Sequence, residues 1–225
     1  MSVRAVVTDI EGTTSSIAFV HEVLFPYAAR ELPDFLRARA ADPPVAALID
    51  DVRAEIGEAD ADTARVVEVL LEWIAEDRKA TPLKELQGLI WAAGYERRDY
   101  TGHVYPDAAE NLRRWSAAGI AVYIYSSGSI RAQELLFGHA DCGDLRPLIR
   151  GYFDTRTGAK REVDSYRRIA AEVGLPPPDI LFLSDVVEEL DAAASAGMLT
   201  TQVLRDDTAE TGAHRVVHDF DSVLI

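Results

Sequence analysis

Asp9 and Glu11 stand two residues apart in Thr8-Asp9-Ile10-Glu11-Gly12-Thr13-Thr14, directly after the β-branched run Val3-Arg4-Ala5-Val6-Val7. The run reads as a buried strand, so both acids fall at or just beyond its C-terminal end. On a continuing strand, residues two apart share a face. An Asp so placed can attack phosphorus, while a second carboxyl protonates the leaving oxygen and later activates water. Two neighbouring carboxylates repel each other unless a cation offsets the charge, and oxygen donors suit Mg2+. The same acids could equally cap a following helix, and this stretch alone does not separate the two readings.

Three further clusters carry compatible chemistry. Ser126 and Ser127 lie in Ser126-Ser127-Gly128-Ser129, where hydroxyls and backbone N–H groups at a helix start can cradle a phosphate. Asp185, after Ser184, follows the run Ile180-Leu181-Phe182-Leu183. Lys160 follows Thr157-Gly158-Ala159, and its charge could offset phosphate and keep a nucleophilic Asp ionised. Each has an ordinary alternative: a turn and cap for the serines, a helix cap for Asp185, a surface position for Lys160, with Arg161 competing for its role. Glu188 and Glu189 read as acids on a solvated first helical turn, where the helix dipole favours them, with support of the site from behind as the less favoured alternative for Glu189.

The elements that must position these residues alternate. Strands are expected at Val3–Val7, Ile120–Tyr125, Ile180–Leu183, Thr201–Leu204 and His214–His218, with an extended or hairpin piece at Tyr152–Gly158. Helices fall between them, one of them capped by Asp107. Such alternation means a parallel sheet with helices on both faces, and ligands bind beyond the C-terminal ends of its strands. Asp9/Glu11, Ser126/Ser127 and Ser184/Asp185 should therefore converge on one edge. Between the first two clusters lies a helical stretch without a strand. Helices are expected over Ile17–Arg30 and Glu31–Ala41, punctuated by Pro26 and Pro33. A third runs from Pro43-Pro44 to Gly57, a fourth from Asp62 or Thr63, and a fifth from Thr81-Pro82 that Gly94 stops. The fold class is thus α/β: a Rossmann-like parallel-sheet core over residues 1–15 and 104–225, with an α-helical cap inserted at 16–103.

Composition narrows the partners. With 225 residues, 48% hydrophobic and 27% charged, the chain suits a globular protein with a sizeable core. A formal charge of −15 argues against nucleic acid or an anionic membrane surface, and leaves room for a small anionic substrate. No apolar run is long enough to span a bilayer, and no signal peptide is visible at the start. Cys142 is the sole cysteine, so no internal disulfide is possible and a cytoplasmic location is expected. The acidic surface and the lack of an exposed apolar stripe favour a monomer.

The order of these motifs (Asp9, Ser126, Lys160, Asp185, with helices inserted after the first) resembles the haloacid dehalogenase superfamily. More closely, Asp9-Ile10-Glu11-Gly12-Thr13-Thr14, Ile17-Ala18-Phe19-Val20, Leu24-Phe25-Pro26-Tyr27, Leu86-Gln87-Gly88, Tyr125-Ser126-Ser127-Gly128-Ser129, Gly143-Asp144-Leu145-Arg146-Pro147, Gly151-Tyr152-Phe153-Asp154-Thr155 and Phe182-Leu183-Ser184-Asp185-Val186 are similar to the enolase-phosphatase (acireductone synthase) family of methionine salvage. The likeness runs nearly the whole length, and Glu11 is its most telling position, since most phosphatases of the superfamily carry Asp there. The chain departs from the family at Val163-Asp164, after the lysine, and at Arg205-Asp206-Asp207, where the family tends to Arg-Pro-Gly.

The resemblance implies a substrate, 2,3-diketo-5-methylthiopentyl-1-phosphate, that is enolised and then hydrolysed to the acireductone and phosphate through an aspartyl-phosphate on Asp9. It implies one Mg2+ per chain held by Asp9, residue 11 and Asp185, and a phosphate grip from Ser126, Ser127 and Lys160. Glu11 is assigned the proton handling. Candidates for the methylthio end are Phe19, Trp91 and Tyr95, each equally at home in a core. Another Mg-dependent phosphatase or a phosphomutase would use the same core. A metal-free dehalogenase leaves Glu11 and Asp185 without a task, and a non-catalytic binding module leaves the whole set without one.

Overall fold

A computed structural model describes residues 3–205 and 211–225. In chain order it contains β1 (Ala5–Thr8), a single turn α1 (Ile17–Phe19), a π-helical turn (Val20–Leu24), α2 (Phe25–Arg39), α3 (Pro43–Ile56), α4 (Thr63–Ala75) and α5 (Thr81–Arg97). These are followed by α6 (Pro106–Ala117), β2 (Ala121–Tyr125), α7 (Ile130–Gly138), β3 (Ile149–Phe153), α8 (Val163–Val173), β4 (Ile180–Ser184), α9 (Val187–Ser195), β5 (Leu199–Val203) and β6 (Arg215–Val217). The backbone divides into two compact units, Met1–Ile17 with Thr101–Ile225, and Ala18–Tyr100.

Among the described residues of the first unit, six strands form one sheet in the order β3-β2-β1-β4-β5-β6, with every pairing parallel. This is the α/β class expected. β1 lies between β2 and β4, and its four residues are fully buried, as a central parallel strand covered on both faces requires. One face is filled by Ala5, Val7, Tyr125, Phe153, Phe182 and the α8 residues Tyr166 and Ile169. Thr8 is level with Ile124 on one side and Leu183 on the other, and Ser184 with Gln202. Asp9, Ser126 and Asp185 consequently leave the sheet at nearly one height. The piece expected as extended or hairpin at Tyr152–Gly158 is instead the parallel edge strand β3, which begins at Ile149 and ends at Phe153. No helix among the described residues is long and apolar enough to cross a membrane. Asp206 and Asp207, in the last departure from the family pattern, lie outside the described residues.

The second unit is a set of helices around Tyr27, Leu32, Leu36, Val45, Ile49, Val52, Val66, Leu70, Trp73, Leu83, Leu86 and Ile90. Asp62 caps α4 by accepting from the Arg65 N–H at 2.8 Å, and Gly57 closes α3 with φ 73°. Two expectations fail here. Pro33 does not divide two helices but sits inside the continuous α2, where packing of Leu32 and Leu36 outweighs one lost hydrogen bond. Gly94 does not stop α5, which continues to Arg97. A Cβ at Gly94 would lie 2.7 Å from the rings of Tyr27 and Tyr100, so this glycine serves close packing. Phe19 and Tyr95 are buried, and the Trp91 indole N–H donates to the Leu24 carbonyl at 2.9 Å.

Candidate active site

The turn after β1 is held by its threonines. Thr14 Oγ1 donates to the Asp9 carbonyl at 2.5 Å, and the Asp9 N–H donates to the Leu183 carbonyl at 2.9 Å, tying the Asp9 backbone to β4. The Asp185 N–H donates to Thr13 Oγ1 at 3.0 Å, and that hydroxyl donates to Asp185 Oδ1 at 3.3 Å. Gln202 on β5 holds the Asp185 carbonyl at 2.9 Å. Gly12 has φ 75°, and a Cβ there would stand 2.4 Å from Asp185 Oδ2. The Asp185 carboxylate thus occupies space that any other residue at position 12 would fill. Asp185 does not cap α9, whose N-cap is Val186.

Lys160 reaches the same place. Its Nζ is 2.5 Å from Asp9 Oδ1 and 2.7 Å from Glu189 Oε2, with side-chain exposures of 11%, 4% and 10% respectively, so this is a buried ionic triad. Ser184 Oγ donates to Glu189 Oε2 at 2.9 Å. The expectation that Glu189 faces solvent is therefore wrong. It lies four residues beyond Asp185, one helical turn on, and α9 turns that face back towards the strand end. Its neighbour Glu188 stays outside and meets Arg161 at 3.9 Å, both well exposed, so Lys160 and not Arg161 takes the inward position.

Burial works against the Lys160 charge, but the Asp9 and Glu189 carboxylates outweigh it and hold the ammonium above the ordinary lysine range. Burial and the Asp9 charge push Asp185 up to about 6. Burial, then the Asp9 charge, also raises Glu11, and Glu189 is raised by the same two causes against the opposing pull of Lys160. Several acids around one lysine leave an excess of negative charge in a buried place.

Ser126 is fully buried at the end of β2, accepts from the Gly128 N–H at 3.1 Å and donates to Glu11 Oε2 at 3.2 Å. Ser127, next to it, is exposed. Ser129 caps α7 through the Ala132 N–H. No group of three or more His, Cys, Asp or Glu side chains arranged to hold a metal occurs among the described residues, and the Glu11 carboxylate turns to Ser126. Asp107 is likewise not the cap expected. Its Oδ2 accepts from Arg205 Nη1 and from the Phe220 N–H, both at 2.8 Å, while Arg205 Nε donates to the Thr13 carbonyl at 2.8 Å.

Asp9 thus stands at the tip of the central strand with Lys160 against it and Asp185 at the tip of the next strand. Residues 3–197 match the haloacid dehalogenase-like hydrolase model, and the chain belongs to that family. Among its relatives, it is 58% identical to Enolase-phosphatase E1 of Pseudomonas aeruginosa (strain UCBPP-PA14) over the full length of both chains. It is 57% identical to Enolase-phosphatase E1 of Azotobacter vinelandii, covering 99% of this chain and 98% of that one. The solved structure of the UTR4 protein of Saccharomyces cerevisiae superposes with a TM-score of 0.85 at 35% identity, over 99% of this chain and 100% of that one. CbbY of Rhodobacter sphaeroides, at 17% identity and a TM-score of 0.61 over 98% and 96% of the two chains, shares the fold.

Proposed function

We propose that this chain is a bifunctional enolase-phosphatase of methionine salvage. It converts 2,3-diketo-5-methylthiopentyl-1-phosphate to the acireductone, 1,2-dihydroxy-5-(methylthio)pent-1-en-3-one, and phosphate. The observation that carries the reading is the buried Asp9–Lys160–Glu189 triad beside Glu11 and Asp185, in a chain similar over its whole length to Enolase-phosphatase E1.

One Mg2+ fits the donor set. Asp9 and Asp185 offer hard oxygen donors at the tips of neighbouring strands, and the carboxylates gathered there outnumber the single Lys160 ammonium. Residue 11 would contribute its backbone carbonyl, since its carboxylate is engaged by Ser126. When bound, the ion would supply positive charge to offset a dianionic phosphate and to polarise a carbonyl oxygen of the diketone.

In the first step Glu11, made a better base by its burial and by the Asp9 charge, removes and keeps a proton from the carbon next to the carbonyl. Solvent water protonates the enolate oxygen and recovers a proton from Glu11 at the end of the cycle. Ser126 orients Glu11 for this. In the second step an Asp9 oxygen bonds to phosphorus as the ester bond breaks, and the leaving oxygen takes the proton from Glu11. Water, deprotonated by the same carboxylate, then opens the aspartyl-phosphate and returns Asp9. Lys160, seated against Asp9, binds the phosphoryl oxygens with the Ser126-Ser127 turn. A cytoplasmic monomer acting on a small molecule suits the single cysteine and the acidic surface.

Turnover of the diketo phosphate by the purified protein tests this. Under anaerobic conditions the enol intermediate's absorbance should precede that of the acireductone, with one phosphate released per substrate. Phosphate release from simple esters without turnover of the diketo phosphate would reduce the chain to a general phosphatase. Return of the phosphoryl group to a sugar phosphate would make it a mutase.

A further inference from the structure

Lys160 lies in a loop between β3 and α8 that has no regular structure, yet its amine meets two carboxylates at 2.5 and 2.7 Å. Such placement demands that the loop backbone be fixed. Four successive carbonyls in it each accept a hydrogen bond from a side chain. The Thr157 carbonyl accepts from Arg168 Nη1 at 2.8 Å and the Gly158 carbonyl from the Tyr125 hydroxyl at 3.0 Å. The Ala159 carbonyl accepts from Ser165 Oγ at 2.7 Å, and the carbonyl of Lys160 itself accepts from the Tyr166 hydroxyl at 2.7 Å. Three of the four donors come from the first turns of α8, and the fourth from the end of β2.

A second observation comes from Gly158. Its φ is 149°, and a Cβ there would stand 2.1 Å from Ser165 Oγ. The glycine leaves the space that the Ser165 hydroxyl fills while reaching the next carbonyl. The donors are themselves fixed: Tyr125, Ser165 and Tyr166 are fully or almost fully buried, with Tyr166 edge-on to Phe182 and to Tyr125. Burial also raises both tyrosines above the ordinary phenol range, so they remain donors across the working pH range of an enzyme.

We propose that Tyr125, Ser165 and Tyr166 are positioning residues for Lys160: their hydroxyls lock the Gly158-Ala159-Lys160 backbone so that the amine is delivered to Asp9 and Glu189. Solvation of the loop would otherwise let the lysine stem swing, because a free lysine side chain samples many rotamers. The catalytic consequence rests on the reading of Lys160 as the phosphate grip, whereas the positioning itself does not.

The chain has three lysines, Lys79, Lys84 and Lys160, so acylation of amines followed by mass spectrometry reads Lys160 directly. The exposed Lys79 serves as the internal reference. In the wild type, Lys160 should be strongly protected. In Tyr166→Phe, and more so in Tyr125→Phe/Tyr166→Phe, its labelling relative to Lys79 should rise about fivefold per hydroxyl removed, the effect of one hydrogen bond. KM for the phosphate ester and the inhibition constant of inorganic phosphate should rise with it, more than kcat falls. Leu112→Ala, a buried core change on α6, controls for general loosening and should leave the Lys160 to Lys79 ratio unchanged. The proposal is overturned if the tyrosine variants leave that ratio unchanged, or if Leu112→Ala raises it equally at a matched loss in Tm. Full phosphate affinity in Lys160→Met would overturn the phosphate-grip reading instead, with the labelling result still deciding the positioning.

Discussion

Lys160 Nζ stands 2.5 Å from Asp9 Oδ1 in a buried setting, so the proposed nucleophile and a counter-charge are already paired in the chain itself. An Asp at this place is the proposed nucleophile toward phosphorus, and the ammonium beside it offsets the charge of carboxylate and phosphate together. Asp9→Asn should abolish turnover, by at least about a thousandfold on the scale of nucleophile removal. The shape of the side chain is unchanged, so the fold should survive. Circular dichroism and a phosphate-release assay together check this, and near-normal release by a folded variant would end the covalent mechanism.

Glu11 should separate the two reactions. Glu11→Gln is expected to lose turnover of the diketo phosphate. Glu11→Asp retracts the carboxyl by one methylene from Ser126 and from the substrate carbon, and should impair enolisation more than hydrolysis of a simple phosphate ester. The ratio of the two rates is the measurement. Equal loss in both would make Glu11 a spacer and place the enolising base elsewhere.

Metal dependence should be sensitive to Gly12. Chelation should stop activity and Mg2+ should restore it. Gly12→Ala puts a methyl where the Asp185 carboxylate lies and forces a left-handed φ of 75° on an L-residue, at a backbone cost of about 1–2 kcal/mol. A lower Tm and a higher Mg2+ concentration for half-maximal activity are expected. A metal titration indistinguishable from wild type would show that Asp185 does not need its present place.

The helical unit should lose stability in alkali. Burial, and donation to Asp99 Oδ2 at 2.7 Å, push Tyr27 up to about 12, and burial also raises Tyr95 and Tyr100. A folded-state pKa above the unfolded value means that the folded chain retains the proton. The corresponding stability is complete below about pH 10, the unfolded phenol value, and is lost as the pH rises through the folded values. Tyrosinate absorbance should therefore rise together with loss of helical circular dichroism above pH 10. Tyr27→Phe should show a shallower decline of stability over that range. Tyrosine ionisation at pH 10 with the helices intact would contradict it.

What the sequence determined by itself is the set of local patterns. The β-branched run before Asp9, the serines after Tyr125 and the Ser184-Asp185 pair after four apolar residues each carry strand, end and polar tip within a few positions. Parallel alternation with helices then brings those tips to one edge without further information, because parallel strands share their C-terminal side. α3 and α4 were likewise legible, their ends written by Gly57 and by Asp62.

Only the tertiary structure decided which polar residues turn inward and how they pair. Glu188 and Glu189 are identical in type and adjacent, and only the seating of α9 puts one on Lys160 and the other in solvent. Asp107 looks like a cap until Arg205 and Phe220, about a hundred residues away, claim its carboxylate. Pro33 and Gly94 carry the local signature of breaks, yet contacts with distant side chains keep both inside helices. The hydroxyls of Tyr125, Ser165 and Tyr166 read as ordinary core or helix positions, and their task appears only once the lysine loop folds over them. In each case the deciding free energy comes from burial and pairing between residues far apart in the chain, which local propensity does not encode.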